Sequence, residues 1–279
     1  METKHYRTIF LSDIHLGSKD SKAELLLDFL KHNTANTYYL VGDIIDLWKV
    51  KQNKWKWKKS HTEVVRKFLK ISKHARVIYV IGNHDEAIRP FITHGIGIGK
   101  IEFVNKIDHI GSNGKRYLVI HGDMFDGIGD IAPWLGFLGD KAYDLLLDLN
   151  TKYNWIRHKF GFGYWSFSKV IKKKVKNAVD FIFKFEHNLV DYCRRKFYDG
   201  VVAGHTHSPT IKLVDDIIVI NDGDFVESVS AVVEDFNGNF ILLEHLEEKW
   251  TETKILLSDY NKILDKNSCN SFNYEEPIE

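Results

Sequence analysis

The sequence predicts an α/β fold, strands layered with helices and interrupted by a helical insertion. Three observations predict it. Short apolar runs alternate with helical periodicity over residues 1–125, an aromatic-rich stretch at helical spacing occupies 126–195, and closely spaced strand-like runs return over 196–250. Strand–helix–strand alternation calls for parallel pairing, with helices covering the sheet faces.

Residues 8–11, 38–41 and 76–81 read as buried strands, each followed by polar residues. Between them, 23–30 and 61–71 read as amphipathic helices, the second with Val64, Val65, Phe68 and Leu69 on one face. Residues 116–120 are a further strand ending at His121. In the insertion, Val175, Ala178, Val179, Ile182, Glu186, Leu189, Val190 and Cys193 recur at helical spacing. Strands are then expected at 200–203, 211–214, 217–220, 229–234 and 239–245. Asp215-Asp216 turns one hairpin and Asn237-Gly238 the other. Residues 251–279 lack clear periodicity and read as a loosely attached tail.

The composition narrows the possible classes. With 279 residues, 44 % of them hydrophobic and only four prolines, the chain is globular. Its two cysteines, Cys193 and Cys269, form no CxxC pair, so a reducing, cytoplasmic setting is the expectation. The start shows no apolar signal segment, and no run reaches the roughly 18 apolar residues of a membrane span. A net charge of +1 gives no whole-molecule preference for polyanions. Lysines do cluster, at Lys49, Lys51, Lys54, Lys56, Lys58 and Lys59, and again at Lys169, Lys172, Lys173, Lys174 and Lys176.

Five polar clusters each follow a predicted strand: Asp13-Ile14-His15, Gly42-Asp43, Gly82-Asn83-His84-Asp85, His121-Gly122-Asp123 and Gly204-His205-Thr206-His207. Strand C-termini converge on one edge of an α/β sheet, where ligands bind, so these clusters are expected to meet. A lone Asp after a strand is usually a turn or cap residue, and a lone His a satisfied core or surface residue. The joint pattern is different. Asp13, His15, Asp43, Asn83, His121, His205 and His207 offer oxygen and imidazole nitrogen donors, which suit Mn, Fe, Zn or Mg rather than soft metals. Seven donors exceed what one ion needs and suit two divalent ions, Mn foremost, with a shared carboxylate. Such ions lie about 3.5–4 Å apart, and a water between them is acidified to a pKa of about 7.

These motifs resemble the calcineurin-like metallophosphoesterases, whose pattern is DxH, GDxxD, GNH[DE], H and GHxH. The resemblance implies a four-layer αββα sandwich with a helical cap insertion. It implies that Asp13, His15, Asp43 and one of His205 and His207 serve one metal or bridge the pair, while Asp43, Asn83, His121 and the other histidine serve the second. Asp43 is the implied bridge. His84 would then be a catalytic group that stabilises charge and protonates the leaving oxygen, with Asp46 orienting it. Asp46 also reads, more simply, as a carboxylate at a helix N-terminus.

Within that family the chain looks most like the bacterial UDP-2,3-diacylglucosamine hydrolases, which release UMP and a lipid phosphate in lipid A synthesis. The resemblance rests on Gly-Asp-Ile-Ile-Asp-Leu-Trp at 42–48, on the His121-Gly122-Asp123 block, on the insertion before Gly-His-Thr-His-Ser-Pro at 204–209, and on the stretch 221–228. It departs at His84, where the authentic hydrolase carries arginine. The resemblance implies a UDP-sugar lipid substrate under a lipid-binding cap, and an enzyme in the cytoplasm or peripheral on the inner membrane. Trp48, Lys172, Lys173 and Lys176 are candidate substrate contacts. Trp48, Trp55 and Trp57 could stack on a base or sugar, rest at a membrane interface, or pack inward. The alternatives are a phosphodiesterase or phosphatase acting on a soluble nucleotide or single-stranded nucleic acid, and a non-catalytic scaffold. Near-zero net charge argues against the nuclease, and the complete ligand set against the scaffold.

Overall fold

The computed structural model describes residues 3–93, 97–125 and 167–255. By contacts the chain divides into two units, Met1–Asp123 with Val190–Glu279, and Met124–Leu189.

In the larger unit, β1 (Lys4–Leu11) leads through α1 (Ala23–His32) to β2 (Asn33–Val41), then through α2 (Leu47–Lys51) and α3 (Lys59–Ile71) to β3 (Arg76–Val80). A 3-10 turn (Glu86–Ile88), α4 (Arg89–Thr93), β4 (Ile101–Val104), β5 (Lys106–Ile110) and β6 (Arg116–Ile120) follow. A second 3-10 turn spans Asp123–Phe125. Helix α5 (Phe167–Arg195) begins in the smaller unit and ends in the larger. The chain continues as β7 (Gly200–Ala203), β8 (Thr210–Val214), β9 (Ile217–Asn221), β10 (Ser230–Glu234), β11 (Phe240–Leu246) and β12 (Lys249–Ile255).

Among the described residues these strands form two sheets, ordered β12-β11-β10-β1-β2-β3-β4 and β5-β6-β7-β9-β8. β1, β2, β3 and β4 pair in parallel, as strand–helix alternation requires, and β6 pairs in parallel with β7. Alternation along β1 sets the layers. Ile9 and Leu11 join one buried cluster with Leu26 and Phe29 of α1 and Val64 and Phe68 of α3. Phe10 points the other way, into a second cluster with Tyr39, Ile78, Tyr117, Val119, Val202 and Ile220, which binds the two sheets face to face. Each such buried side chain stabilises by about 2 kcal/mol. On the second sheet Leu118, Val201 and Val219 are buried as well, and the end of α5 adds buried Val190 and Cys193. Arg194 fixes that end to the β8–β9 turn through Asp215 and Asp216.

The structure corrects several sequence readings. β1 and β2 begin earlier than their apolar runs, because Lys4–Asn33 and His5–Thr34 continue the parallel ladder through polar residues. β4 and β5 were not anticipated; Ile101–Val104 and Lys106–Ile110 alternate weakly and are mostly half-buried or exposed. The sheet also runs past residue 250, where the tail was expected to begin. β12 pairs antiparallel with β11 as far as Ile255, held by backbone ladder bonds that a mixed polar sequence conceals. The helical reading of 175–193 falls on α5. The aromatics of 126–166 lie outside the described residues, and so do the side chains of Lys172, Lys173 and Lys176 on α5.

Candidate metal centre

The five polar clusters do meet. β1, β2 and β3 of one sheet and β6 and β7 of the other deliver Asp13, Asp43, Asn83, His121 and His205 at their C-terminal ends. Backbone bonds knit the loops together, with Asp13 N donating to Gly42 O at 3.0 Å and His15 N to Asp43 O at 2.9 Å.

The backbone is strained at this point. Asp13, His15, Asp43, His205 and His207 all have positive φ, between 49° and 69°. Left-handed conformations cost non-glycine residues about 1–3 kcal/mol each, and such strain collects at functional sites. Here it falls on five of the seven candidate donors.

Asp13 is fully buried. Its Oδ1 lies 3.7 Å from His15 Nε2, 3.6 Å from His121 Nε2 and 3.1 Å from His207 Nε2. Its Oδ2 accepts from His205 N at 2.9 Å. Asp43 mirrors it, with Oδ2 at 3.8 Å from His15 Nε2 and 3.7 Å from His121 Nε2, and Oδ1 accepting from His84 N at 2.8 Å. Both carboxylates therefore stand between His15 and His121. Asp13 belongs to two donor groups, with His15 and His207 and with Asp43 and His121. His205 meets His121 edge-on, with ring centroids 5.0 Å apart.

Most of these separations are too long for hydrogen bonds, yet they are about what donors spaced around an ion at roughly 2.1 Å require. Among the described residues, Asn83 Oδ1, His121 Nε2 and His207 Nδ1 are buried with no hydrogen-bond partner. Buried polar atoms without partners are costly. The residues therefore fit a pair of divalent cations, on donor chemistry as well as on unmet polar atoms.

The electrostatics ask for the same positive charge. Burial works against ionising Asp13, but His207, His121 and His15 outweigh it and hold its pKa well below the usual range. Burial also disfavours the charged His15; Asp13, Asp46 and Asp43 reverse that and raise its pKa to about 10. His121 is likewise raised, against burial, by Asp43, Asp123 and Asp13. Protons on these imidazoles supply the charge that a cation would supply in their place.

His84 stands beside this cluster. Its Nδ1 is 2.9 Å from Asp46 Oδ1, its ring stacks on Trp48 at 4.1 Å, and it meets His15 edge-on at 4.6 Å. Asp46 makes both contacts that the sequence offered it. It is the N-cap of α2, accepting from Lys49 N at 3.2 Å, and it also holds His84. Trp48 is half-buried against His84.

Asp85, to which the sequence pattern gives no role, is fully buried. Its carboxylate accepts from Gly82 N, Ile44 N and the Tyr79 hydroxyl at 2.6, 2.9 and 2.6 Å, tying the β3 loop to the β2 loop. Burial and neighbouring Asp43 push its pKa up to about 6. Its place after Gly-Asn-His was visible, but its partner Tyr79 reads as core. Asp123 lies 3.4 Å from His121 Nδ1 and pairs with Arg89 at 2.9 Å.

The family model for calcineurin-like phosphoesterases matches residues 6–209, most of the chain. The chain belongs to that family. It is a metal-dependent phosphoester hydrolase, built on the mixed α/β architecture of the calcineurin-like phosphoesterases. No curated protein matches the chain. Among solved structures, this phosphoesterase is similar to Yfce, a phosphoesterase from E. coli, at 15 % identity and TM-score 0.46, covering 89 % of this chain and 99 % of that one. Vps29 from Entamoeba histolytica complexed with zinc matches at 15 % identity and TM-score 0.44, over 89 % of this chain and 97 % of that one. An archaeal phosphodiesterase matches at 14 % and 0.39, over 89 % and 99 %.

Proposed function

We propose that this phosphoesterase hydrolyses the diphosphate bond of a UDP-sugar lipid, releasing UMP and a lipid phosphate. In this reading Asp13, His15, Asp43, Asn83, His121, His205 and His207 hold two divalent ions, and His84 and Asp46 assist the reaction. The observation that carries the phosphoester chemistry is His84, pinned through Nδ1 by Asp46 and backed by Trp48 at the edge of the donor cluster; it is also the position that departs from the lipid A hydrolases, so it does not bear on the lipid. Two ions bound there would supply an acidified water and offset the charge on phosphate. With Nδ1 held by a carboxylate, Nε2 is the nitrogen left to give a proton to the leaving phosphate oxygen as the new oxygen–phosphorus bond forms. Trp48 and the Asp46 contact fix the ring, so that proton is delivered at one place. The substrate class rests on the sequence resemblance over 42–48, 204–209 and 221–228, and on an insertion rich in aromatics and lysines. Such an enzyme works in the bacterial cytoplasm and meets its substrate at the membrane surface.

The test is a panel of substrates given to the manganese-loaded protein: bis-p-nitrophenyl phosphate, UDP-2,3-diacylglucosamine and single-stranded DNA. Release of UMP from the lipid is expected. Hydrolysis of the small diester alone would sink the lipid reading and leave a phosphoesterase for soluble nucleotides, whereas cleavage of DNA would point to a nuclease.

A further inference from the structure

Residues 49–59 carry six lysines and no acidic residue. Residues 50–57 are all exposed, as is Lys59. Within this stretch Trp55 and Trp57 are 37 % and 39 % exposed and stack on each other at 5.2 Å, with Val50 54 % exposed on the same segment. Large aromatics normally turn inward, so a stacked pair left at the surface among cations marks a contact surface. The segment is also firmly placed. Lys56 N donates to Gly17 O at 2.8 Å, Trp57 Nε1 donates to Thr62 Oγ1 at 2.8 Å, and Lys58 Nζ reaches Lys19 O at 2.9 Å. The Trp55 ring lies against Gly17, where φ is +101° and a Cβ would collide with it. The exposed tryptophans are therefore held out by structure.

We propose that this tryptophan–lysine segment docks the enzyme onto an anionic lipid bilayer. Tryptophan favours the headgroup level of a membrane, where an apolar ring and a polar N–H are both accommodated. Lysines beside it gain from the negative surface potential, each by roughly fivefold in partition. Two features favour a bilayer over a polynucleotide. The two rings already cover one face of each other, which leaves less open face for bases. The remaining exposed apolar group, Val50, suits acyl chains and offers nothing to phosphate or base. Because Gly17 lies two residues beyond His15, the docked segment also sets the donor cluster close to the lipid surface. The proposal rests on the substrate reading only for its biological setting, since binding is measured without substrate.

The experiment uses the full, manganese-loaded chain and vesicles of equal parts phosphatidylglycerol and phosphatidylcholine, with pure phosphatidylcholine as the control. Co-sedimentation with the anionic vesicles is expected, falling with added salt. The double variant Lys54→Glu, Lys56→Glu should lose at least tenfold in partition while keeping bis-p-nitrophenyl phosphate hydrolysis and thermal midpoint. Brominated lipid should quench tryptophan fluorescence in the wild type and less so in Trp57→Phe. Equal partition of the charge variant, or no partition of the wild type, would overturn the proposal and leave the hydrolase reading standing. Tight binding to a single-stranded oligonucleotide that those same lysines control, without vesicle binding, would overturn it in favour of nucleic acid.

Discussion

Asp43 concentrates negative charge between two imidazoles while also holding His84 N, so its charge and its geometry separate on substitution. Asp43→Asn preserves shape and removes the charge facing His15 and His121. Activity should vanish together with bound metal, as measured by plasma emission; a variant that kept its full metal content would show that Asp43 is not shared. His84→Ala should do the reverse. Its Nε2 lies 3.9 Å from Asp43 Oδ2 and its ring joins His15 and Asp46 in a third donor group, but Asp13, Asp43, His15 and His121 keep their mutual contacts without it, so metal should stay while turnover falls by about 10²–10⁴. The loss should be smaller for a nitrophenolate leaving group, which departs without a proton. Equal losses for good and poor leaving groups would remove His84 from proton donation and leave it a charge-stabilising role.

The strand ends that meet at the centre leave no room for side chains at particular glycines. At Gly82, which follows β3, a Cβ would run into Asp43 Oδ1 and the Asp43 amide. Overpacking of this kind costs about 1–3 kcal/mol, and here the neighbour that must yield is the Asp43 carboxylate of the candidate centre. Gly82→Ala should lower both the thermal midpoint and the metal content; unaltered manganese binding by titration calorimetry would show that the loop absorbs the methyl group elsewhere. How much could be read from sequence follows the same physics. Asp13, Asp43, His121 and His205 were legible because each follows a run of buried β residues, and that periodicity is a local signal. The left-handed backbone at Asp13, Asp43 and His205 was not, since a positive φ at a residue other than glycine leaves no mark in the apolar periodicity. Nor was the meeting of Asp13 with His207, which depends on His207 arriving from the other sheet. β4 and β12 were missed because their identity as strands comes from ladder bonds to β3 and β11 rather than from apolar alternation.

The two sheets of the larger unit are held by more than their apolar interface. Glu234 of β10, with its side chain fully buried, accepts from Arg7 and Thr8 of β1 at 2.6 and 2.9 Å. It also reaches the second sheet, where His109 of β5 is 2.9 Å away and Ser112 N donates at 2.7 Å. Tyr39 of β2 joins through its hydroxyl, 3.3 Å from His109 Nδ1, and Arg7 reaches Ile110 O at 2.8 Å. One carboxylate thus links both layers. Burial alone would raise its pKa, but His109, the Ser112 amide and Arg7 outweigh burial and lower it below the ordinary 4.5. A lowered folded-state pKa means that the unfolded chain binds the proton more readily. The stabilisation is therefore complete above pH 4.5 and is lost as pH falls below that value toward the folded pKa. Glu234→Gln keeps the volume but removes the charge, leaving Arg7 and His109 without their buried partner. It should lower stability at neutral pH by about 1–3 kcal/mol and, because no group titrates at that position, narrow its deficit against wild type as the pH drops below 4.5. Urea unfolding of both proteins across that range, followed by far-ultraviolet circular dichroism, measures the difference. A deficit that stays constant from neutral to acid pH would mean that Glu234 holds the sheets through shape and neutral hydrogen bonds rather than through its charge.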